Sequence, residues 1–501
     1  MRLIVLVVLV TVPTKGLGQP MLVYPRLLEE RSSDGRMLVH VHDDLTLSLR
    51  KASVAAPELK VLMAEDGRPV TRFYNGEHIE RDLYEDEEKI ATVTVRQSRS
   101  GVRMEGLVGQ HHRIEPLSVS EKSEEGAVAH RIYEIEQKEM LDKTIRYRGK
   151  AKDIALNEGD LQARQLVPEE VTIEVFIVVD VAHYTKFRNT SLVLQYLCVV
   201  VNAANIRYRA TSNPRVKLML TGVEKSEPEQ QKQYAFTPAA GYLFDDLTIA
   251  QFKLYAYKKR VEYGYPDAVY LMTGLDVMTI HNGKVTDAGL GIGFVSSVCT
   301  HYFVALGEDS PGLFTGVHTF THEMAHVLGA YHDGEGPKDK SDKHPGARDC
   351  PWDDGNIMSY VNKGPSHHQF SKCSLKQIQY VVSNAGKSCW KVLSKGHFMN
   401  GVYPGMTVSF ETFCRALPTD KENSTFEYAS VQTATCKVRC FFHKFYTSEV
   451  FPELGRVKVP LDYTAQALDY MACGDHHACI QGVCEDMRSY SRQRPKNEYR
   501  S

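Results

Sequence analysis

The stretch His318-Thr-Phe-Thr-His-Glu-Met-Ala-His-Val-Leu-Gly-Ala-Tyr-His-Asp333 limits what this chain can fold into more than any other. On a helix, His322 and His326 stand four residues apart and project from one face. Two ring nitrogens so placed reach a single zinc ion at about 2.0–2.1 Å. Glu323 lies one position past the first of them, able to point at a water beside the metal rather than at the metal itself. Gly329 lets the backbone leave the helix through a left-handed conformation at little cost, so the chain can turn back. His332, three residues on, is then placed as the third ligand. Three protein ligands leave a fourth position for water, which is the arrangement of a catalytic rather than a structural zinc site.

A bare His-Glu-x-x-His arises by chance in roughly one chain in twenty of this length, so alone it says little. Requiring the Gly, the third His and Asp333 at fixed offsets lowers that to on the order of one in a hundred thousand. The competing reading is an amphipathic helix with surface histidines. It does not account for a Met-turn candidate downstream, Asn356-Ile-Met-Ser-Tyr360. The stretch is therefore read as a zinc site.

With its glycine, third histidine and later methionine, the pattern resembles the metzincin zinc endopeptidases. Asp333 directly after the third histidine, and Gln369-Phe-Ser-Lys-Cys-Ser374 soon after the Met-turn, resemble the reprolysin (adamalysin, ADAM-type) branch. Within that branch the layout is similar to the secreted salivary metalloproteases of blood-feeding ticks. The resemblance implies an α/β (α+β) catalytic domain with a mixed twisted sheet and a zinc-binding helix, a β-rich pro-domain before it and a small disulfide-rich domain after it. It implies one catalytic Zn2+ on His322, His326 and His332, with Glu323 as the catalytic carboxylate and Met358 as an apolar base under the histidines. Tyr360 departs from the branch, because Met-Ser-Tyr resembles the astacins and serralysins, where that tyrosine serves the zinc or the transition state. A packed wall of the substrate pocket is the favoured role for it here. The resemblance also raises a structural Ca2+ through Glu174 and Asp267. The asparagine expected three residues after the last cysteine of the domain is replaced by Val392, which speaks against that ion.

Residues 1–18 open with one basic residue, then a short apolar run, then small residues at Gly16 and Gly18. This reads as a secretory signal peptide, since the run is shorter than the roughly 20 residues a spanning helix needs. The chain of 501 residues has a net charge of −2, which argues against nucleic acid or a charged membrane surface as the main partner. Eleven cysteines suit an oxidising compartment, and none precedes Cys198.

Residues 19–165 are charge-rich and free of cysteine. Leu45-Thr-Leu-Ser-Leu49 and Ala91-Thr-Val-Thr-Val95 alternate like half-buried strands. An ordinary β-rich binding domain would read the same way, but Leu45 to Leu49 and Arg113-Ile-Glu-Pro-Leu117 resemble an ADAM-type propeptide. Propeptides of that family often place a cysteine on the zinc, so any inhibition here must use another ligand or block the cleft. Basic candidate processing sites lie at Arg146-Tyr-Arg148-Gly149 and Gln162-Ala-Arg164.

Residues 166–395 form the expected catalytic domain. Val171-Thr-Ile-Glu-Val-Phe-Ile-Val-Val-Asp180 is a β-branched run suited to a buried strand. Helices over 192–210 and 247–261 and strands at 216–220 and 268–272 follow, the alternation of a mixed sheet with covering helices. Gly289-Leu-Gly-Ile-Gly-Phe-Val-Ser-Ser297 resembles the edge strand that lines the cleft, where an extended peptide can pair. Cys299, Cys350, Cys373 and Cys389 allow three pairings, of which the resemblance favours Cys299 with Cys389 and Cys350 with Cys373. Cys198 is expected as a buried free thiol.

Residues 396–487 hold six cysteines and read as three disulfides, in a module resembling the cysteine-rich, disintegrin-like region of thrombospondin-type ADAM proteases. A zinc site from Cys473, His476, His477 and Cys479 is the weaker alternative. Residues 488–501 are a polar, basic tail expected to be disordered. Asn189 and Asn423 head glycosylation sequons.

The functional expectation is a secreted, extracellular zinc endopeptidase without a membrane span, acting on extracellular proteins such as matrix or clotting proteins. The rival expectation is a binding or anti-adhesive protein that works through the cysteine-rich module with matrix or cell surfaces.

Overall fold

A computed structural model of the chain describes residues 19–30, 35–65, 67–98, 101–117, 127–136, 141–146, 167–337, 343–395, 404–417, 424–447, 456–480 and 482–487. The expected signal peptide, the basic tail, Asn423, and residues 147–149 and 162–164 of the processing sites lie outside them.

Eight strands make the sheet that carries the site. In chain order they are β1 (Ala55–Glu65), β2 (Arg68–Asn75), β3 (Ile145–Arg146), β4 (Glu170–Val179), β5 (Arg215–Lys225), β6 (Ala268–Thr273), β7 (Gly291–Val295) and β8 (Val304–Glu308). In space they run β3-β7-β8-β6-β4-β5-β1-β2. The middle strands β8, β6, β4 and β5 are parallel, and β7 turns back antiparallel to β8. The sheet is thus mixed, and both its ends are built from residues before 166. β1 adds to β5 in parallel and carries β2 as a hairpin, while β3 lies parallel against β7.

The β-branched run of β4 explains why it is central. Its alternate side chains Ile173, Val175, Ile177 and Val179 enter one apolar core with helix α1 (Thr190–Tyr208) and helix α3 (Val317–Val327). Phe176 and Val178 point the other way, into a second core under helix α2 (Asp245–Lys259) with Ile249, Phe252 and Ala256. A period-two strand with both faces apolar fits only between two layers of helix. α1 starts at Asn189, whose exposed side chain accepts a hydrogen bond from the Leu192 N–H, and Cys198 lies buried within it as a free thiol.

A further nine strands between Met21 and Glu134 pair antiparallel in one sheet, around Val39, Leu47, Leu49, Val93, Met104 and Ile114. This N-terminal region does not stand apart. Val54, Leu59, Val61, Leu83 and Leu107 belong to the same core as α1 and α3. Buried Glu85 accepts from Arg209 at 2.6 Å, from Arg50 at 2.8 Å and from Asn202 at 3.0 Å, tying those strands to α1. A buried carboxylate needs such partners to remain charged. Packing accordingly gathers everything up to Gly396 into one compact unit.

Residues 397–501 form the other unit, considered by itself. Two three-stranded sheets are stapled by Cys414–Cys440, Cys436–Cys479 and Cys473–Cys484, around Phe413, Val438, Phe442 and Met471. Cys473 and Cys479 are therefore committed to disulfides and not to a second metal. Among the described residues no helix is long and apolar enough to cross a membrane.

Candidate metal centre

The start of α3 is fixed by buried Asp309. Its Oδ1 accepts from the Gly316 N–H at 2.8 Å, and its Oδ2 is held by His183 and by the Tyr196 hydroxyl, each at 2.8 Å. From there α3 carries His322, Glu323 and His326, all fully buried. It ends at Leu328, and Gly329 follows with φ +116°, a conformation L side chains rarely adopt. A Cβ at Gly329 would meet Val381 Cγ2 of helix α4 (Lys372–Asn384) at 2.4 Å. Backbone freedom and close approach therefore both require glycine here, and the turn they allow delivers His332.

The structure brings the three Nε2 atoms together. His322 and His326 each lie 3.2 Å from His332. Two ligands of a tetrahedral zinc, each about 2.0–2.1 Å from the metal, stand about 3.3 Å apart. The Nδ1–H of His322 donates to the Ile357 carbonyl at 2.7 Å, and that of His326 to the Ala330 carbonyl at 2.6 Å. A carbonyl only accepts, so both rings carry a proton on Nδ1, and in the neutral ring this leaves Nε2 as the lone pair a metal needs. Lone pairs facing one another at this distance repel unless a cation lies between them. The donor set, its spacing and its tautomers fit zinc.

The Met-turn supports this from below. Ile357 orients His322, and the carbonyl of fully buried Met358 accepts from the Asp333 N–H at 2.9 Å. Asp333 Oδ1 accepts from Ser371 Oγ at 2.6 Å and from Ser374 Oγ at 3.4 Å, and Ser371 caps α4. Cys350–Cys373 and Cys299–Cys389 are disulfides, the first beside that cap and the second joining the loop after β7 to residues past α4.

Glu323 lies against β7, where a Cβ on Gly291 would come within 2.8 Å of its Oε1 and one on Gly293 within 3.2 Å of its Oε2. The Gly-x-Gly run is what lets the strand approach a carboxylate so closely. Both oxygens of Glu323 are buried without a hydrogen-bond partner. Burial, with the charges of Asp142 and Asp245, pushes its pKa well above the ordinary carboxylate range.

One residue of the site was missed from sequence. Asp142 projects into the histidine cluster, with Oδ2 2.9 Å from His326 Nε2, 3.1 Å from His332 Nε2 and 3.3 Å from His322 Nε2. Burial works against its charge, yet His332, His322 and their hydrogen bonds hold it well below the usual carboxylate range. Tyr360 turns its hydroxyl to the same residue, against Asp142 Oδ1, 2.7 Å from its carbonyl oxygen and 3.1 Å from its N–H. Its ring meets His332 edge-on. Nothing local marks an isolated aspartate as a ligand; the only hint was the lack of cysteine in residues 19–165.

Glu174 and Asp267 also come together. Asp267 Oδ2 accepts from the Glu174 N–H, and the Glu174 carboxylate accepts from the N–H groups of Leu393 and Ser394 at 2.8 and 2.6 Å. Those oxygens are thus engaged by backbone donors.

Two helix histidines and a third from the turn that follows, beside a mixed sheet and a methionine turn, define a zinc peptidase of the metzincin class. Residues 172–392 match the reprolysin (M12B) family of zinc metalloproteases. The chain is 26% identical over 378 residues to a venom metalloproteinase of Olivierus martensii, covering 73% of this chain and 91% of that protein. It is 27% identical over 321 residues to the venom metalloproteinase antarease of Tityus serrulatus, covering 62% of this chain and 80% of that one. Among solved structures, metalloproteinase-II from Bacteroides fragilis aligns over 68% of this chain and 88% of its own, at 10% identity and a TM-score of 0.32. This chain is a zinc metalloendopeptidase, and its residues 172–392 are similar to the reprolysin type.

Proposed function

We propose that the chain is a secreted endopeptidase, made as a zymogen, that cuts internal peptide bonds of extracellular proteins. The observation that carries this reading is the convergence of three imidazole nitrogens beside a buried carboxylate that has no partner of its own. Zinc, when bound there, lowers the pKa of a water toward about 7 and polarises the scissile carbonyl. His322, His326 and His332 hold the ion. Glu323 takes a proton from the attacking water and passes it to the leaving amine. Burial is the largest cause of its raised proton affinity, and a raised affinity is the direction a general base needs. The edge of β7, held here by β3, is where an extended substrate pairs. Tyr360 is better read as a donor to the developing oxyanion than as pocket wall, because its hydroxyl is aimed at the group nearest the metal centre.

Residues 1–18 direct secretion, and residues 19–165 act as the pro-domain. Relatives named as venom metalloproteinases support an extracellular site of action. Matrix and clotting proteins of a host are the proposed substrates, and residues 396–487 supply matrix or cell-surface contact. The test compares cleavage of denatured collagen or fibrinogen by the processed protein with that by Glu323→Ala, with zinc measured on both. Removing a general base costs about 10²–10⁴-fold. A zinc-loaded Glu323→Ala chain that still cleaves refutes the mechanism. A 396–501 fragment that reproduces the full biological effect would favour the binding-module reading instead.

A further inference from the structure

We propose that Asp142 is a fourth protein ligand of the zinc in the intact chain, occupying the position that water must take for hydrolysis. This rests on the zinc-peptidase reading above. Asp142 Oδ2 stands 2.9–3.3 Å from the three Nε2 atoms, close to the 3.2 Å that separates His322 and His326 from His332, so all four atoms are placed to share one ion. The Asp142 side chain is fully buried. A buried carboxylate requires a counter-charge. The Nδ1 atoms of His322 and His326 are taken up by carbonyls on the far side of each ring, so the Nε2 atoms are what face Asp142. A zinc ion among these four atoms would answer the carboxylate's charge and use all three ring nitrogens.

The flanking residues hold this placement on both sides. The Leu141 N–H donates to the Ala288 carbonyl at 2.9 Å, and Lys143 Nζ reaches Asp246 Oδ2 at 2.6 Å. Thr144 Oγ1 donates to Glu335 Oε2 at 2.9 Å, and residues 145 and 146 pair with Phe294 and Val295. Residues 141–146 therefore lie through the cleft, and what they present to the metal is a side-chain carboxylate with no bond to cut. Withdrawal of the segment frees in one motion the position between the histidines and Glu323, the Tyr360 hydroxyl and the edge of β7.

The test uses the full chain carrying Glu323→Gln, which prevents self-cleavage, with and without Asp142→Asn or Asp142→Ala. The isosteric Asn variant guards against misfolding, checked by thermal midpoint, and zinc content is measured on each chain. Acetohydroxamate, a small zinc chelator, should bind the Asp142 variants about 100-fold more tightly than the parent. Zinc loss to 1,10-phenanthroline should be roughly tenfold or more faster from the variants. The proposal is overturned if zinc-loaded variants stay as closed to both probes as the parent, or if the parent is as open as they are. In either case, cleavage by the processed wild type leaves the peptidase reading standing. A parent chain that binds no zinc overturns that reading itself.

Discussion

Gly329→Ala is the substitution whose cost follows most directly from the geometry. Gly329 sits at φ +116°, where an L side chain loses about 1–2 kcal/mol. The added methyl would also lie 2.4 Å from Val381 Cγ2 and 2.8 Å from Val381 Cβ, an overpacking that costs typically about 1–3 kcal/mol. Against this, alanine restricts the unfolded chain and returns about 0.4–1 kcal/mol. The net loss is roughly 1–5 kcal/mol, or a fall in thermal midpoint of about 1–6 °C for a unit of this size. The two causes separate in a cycle on the Glu323→Gln background, scanned at equal rates with zinc held constant. Val381 is only partly buried, and Val381→Ala removes the Cγ2 contact while leaving Cβ at 2.8 Å, so the double variant should recover part of the steric cost and keep the backbone part. Zinc affinity should fall with stability, since the same turn delivers His332. A fall in midpoint under about 1 °C for Gly329→Ala, or complete recovery in the double variant, would refute the reasoning.

Two further outcomes follow from buried groups. Burial pushes the Cys198 thiol well above its ordinary pKa, so the native chain should resist iodoacetamide and yield one reactive thiol when unfolded without reductant; rapid alkylation of the native chain would contradict the fold around α1. His367 and His368 are pushed down to about 4 and about 2, by burial first and then by His322 and by Arg207 respectively. Arg207 Nη2 donates to His368 Nδ1 at 2.9 Å, His111 faces the same ring, and His318 stacks on His367, where the Val361 backbone is the one group that favours a proton and is outweighed. A depressed folded pKa contributes stability that is present above the unfolded value of about 6.5 and lost as pH falls toward the folded one. Each of the two should cost roughly 1.4 kcal/mol per pH unit between about 6.5 and 4. A thermal midpoint flat over that window would show these rings are not held neutral.

The zinc histidines were legible because a metal dictates spacing along one continuous piece of helix and turn, and Gly329 because the turn demands its backbone. β4 was legible because its two faces go to two helical layers, and its β-branched run shows both. The glycines at 291 and 293 could be read as part of a cleft strand, but their reason, the closeness of Glu323, exists only in three dimensions. Asp142 was not legible. It is one of 62 acidic residues and meets His326 across 184 positions, with no local pattern to single it out. Strands β1 and β2 alternate like any half-buried hairpin, and nothing in that pattern names β5 as their neighbour.

If residues 19–165 act as the proposed pro-domain, that neighbour gives maturation a second meaning. Cutting the chain between Arg146 and Glu169 severs a covalent link, yet the ladder from Leu220 to Glu224 of β5 onto β1 survives the cut, as do Leu59 and Val61 in the shared core. The severed N-terminal piece is then a subunit, held by noncovalent contacts and by its own equilibrium. When it departs, β5 is left with a row of open peptide groups along one side, the kind of margin that recruits another strand. Freedom from the inhibitor and exposure to self-association arrive together.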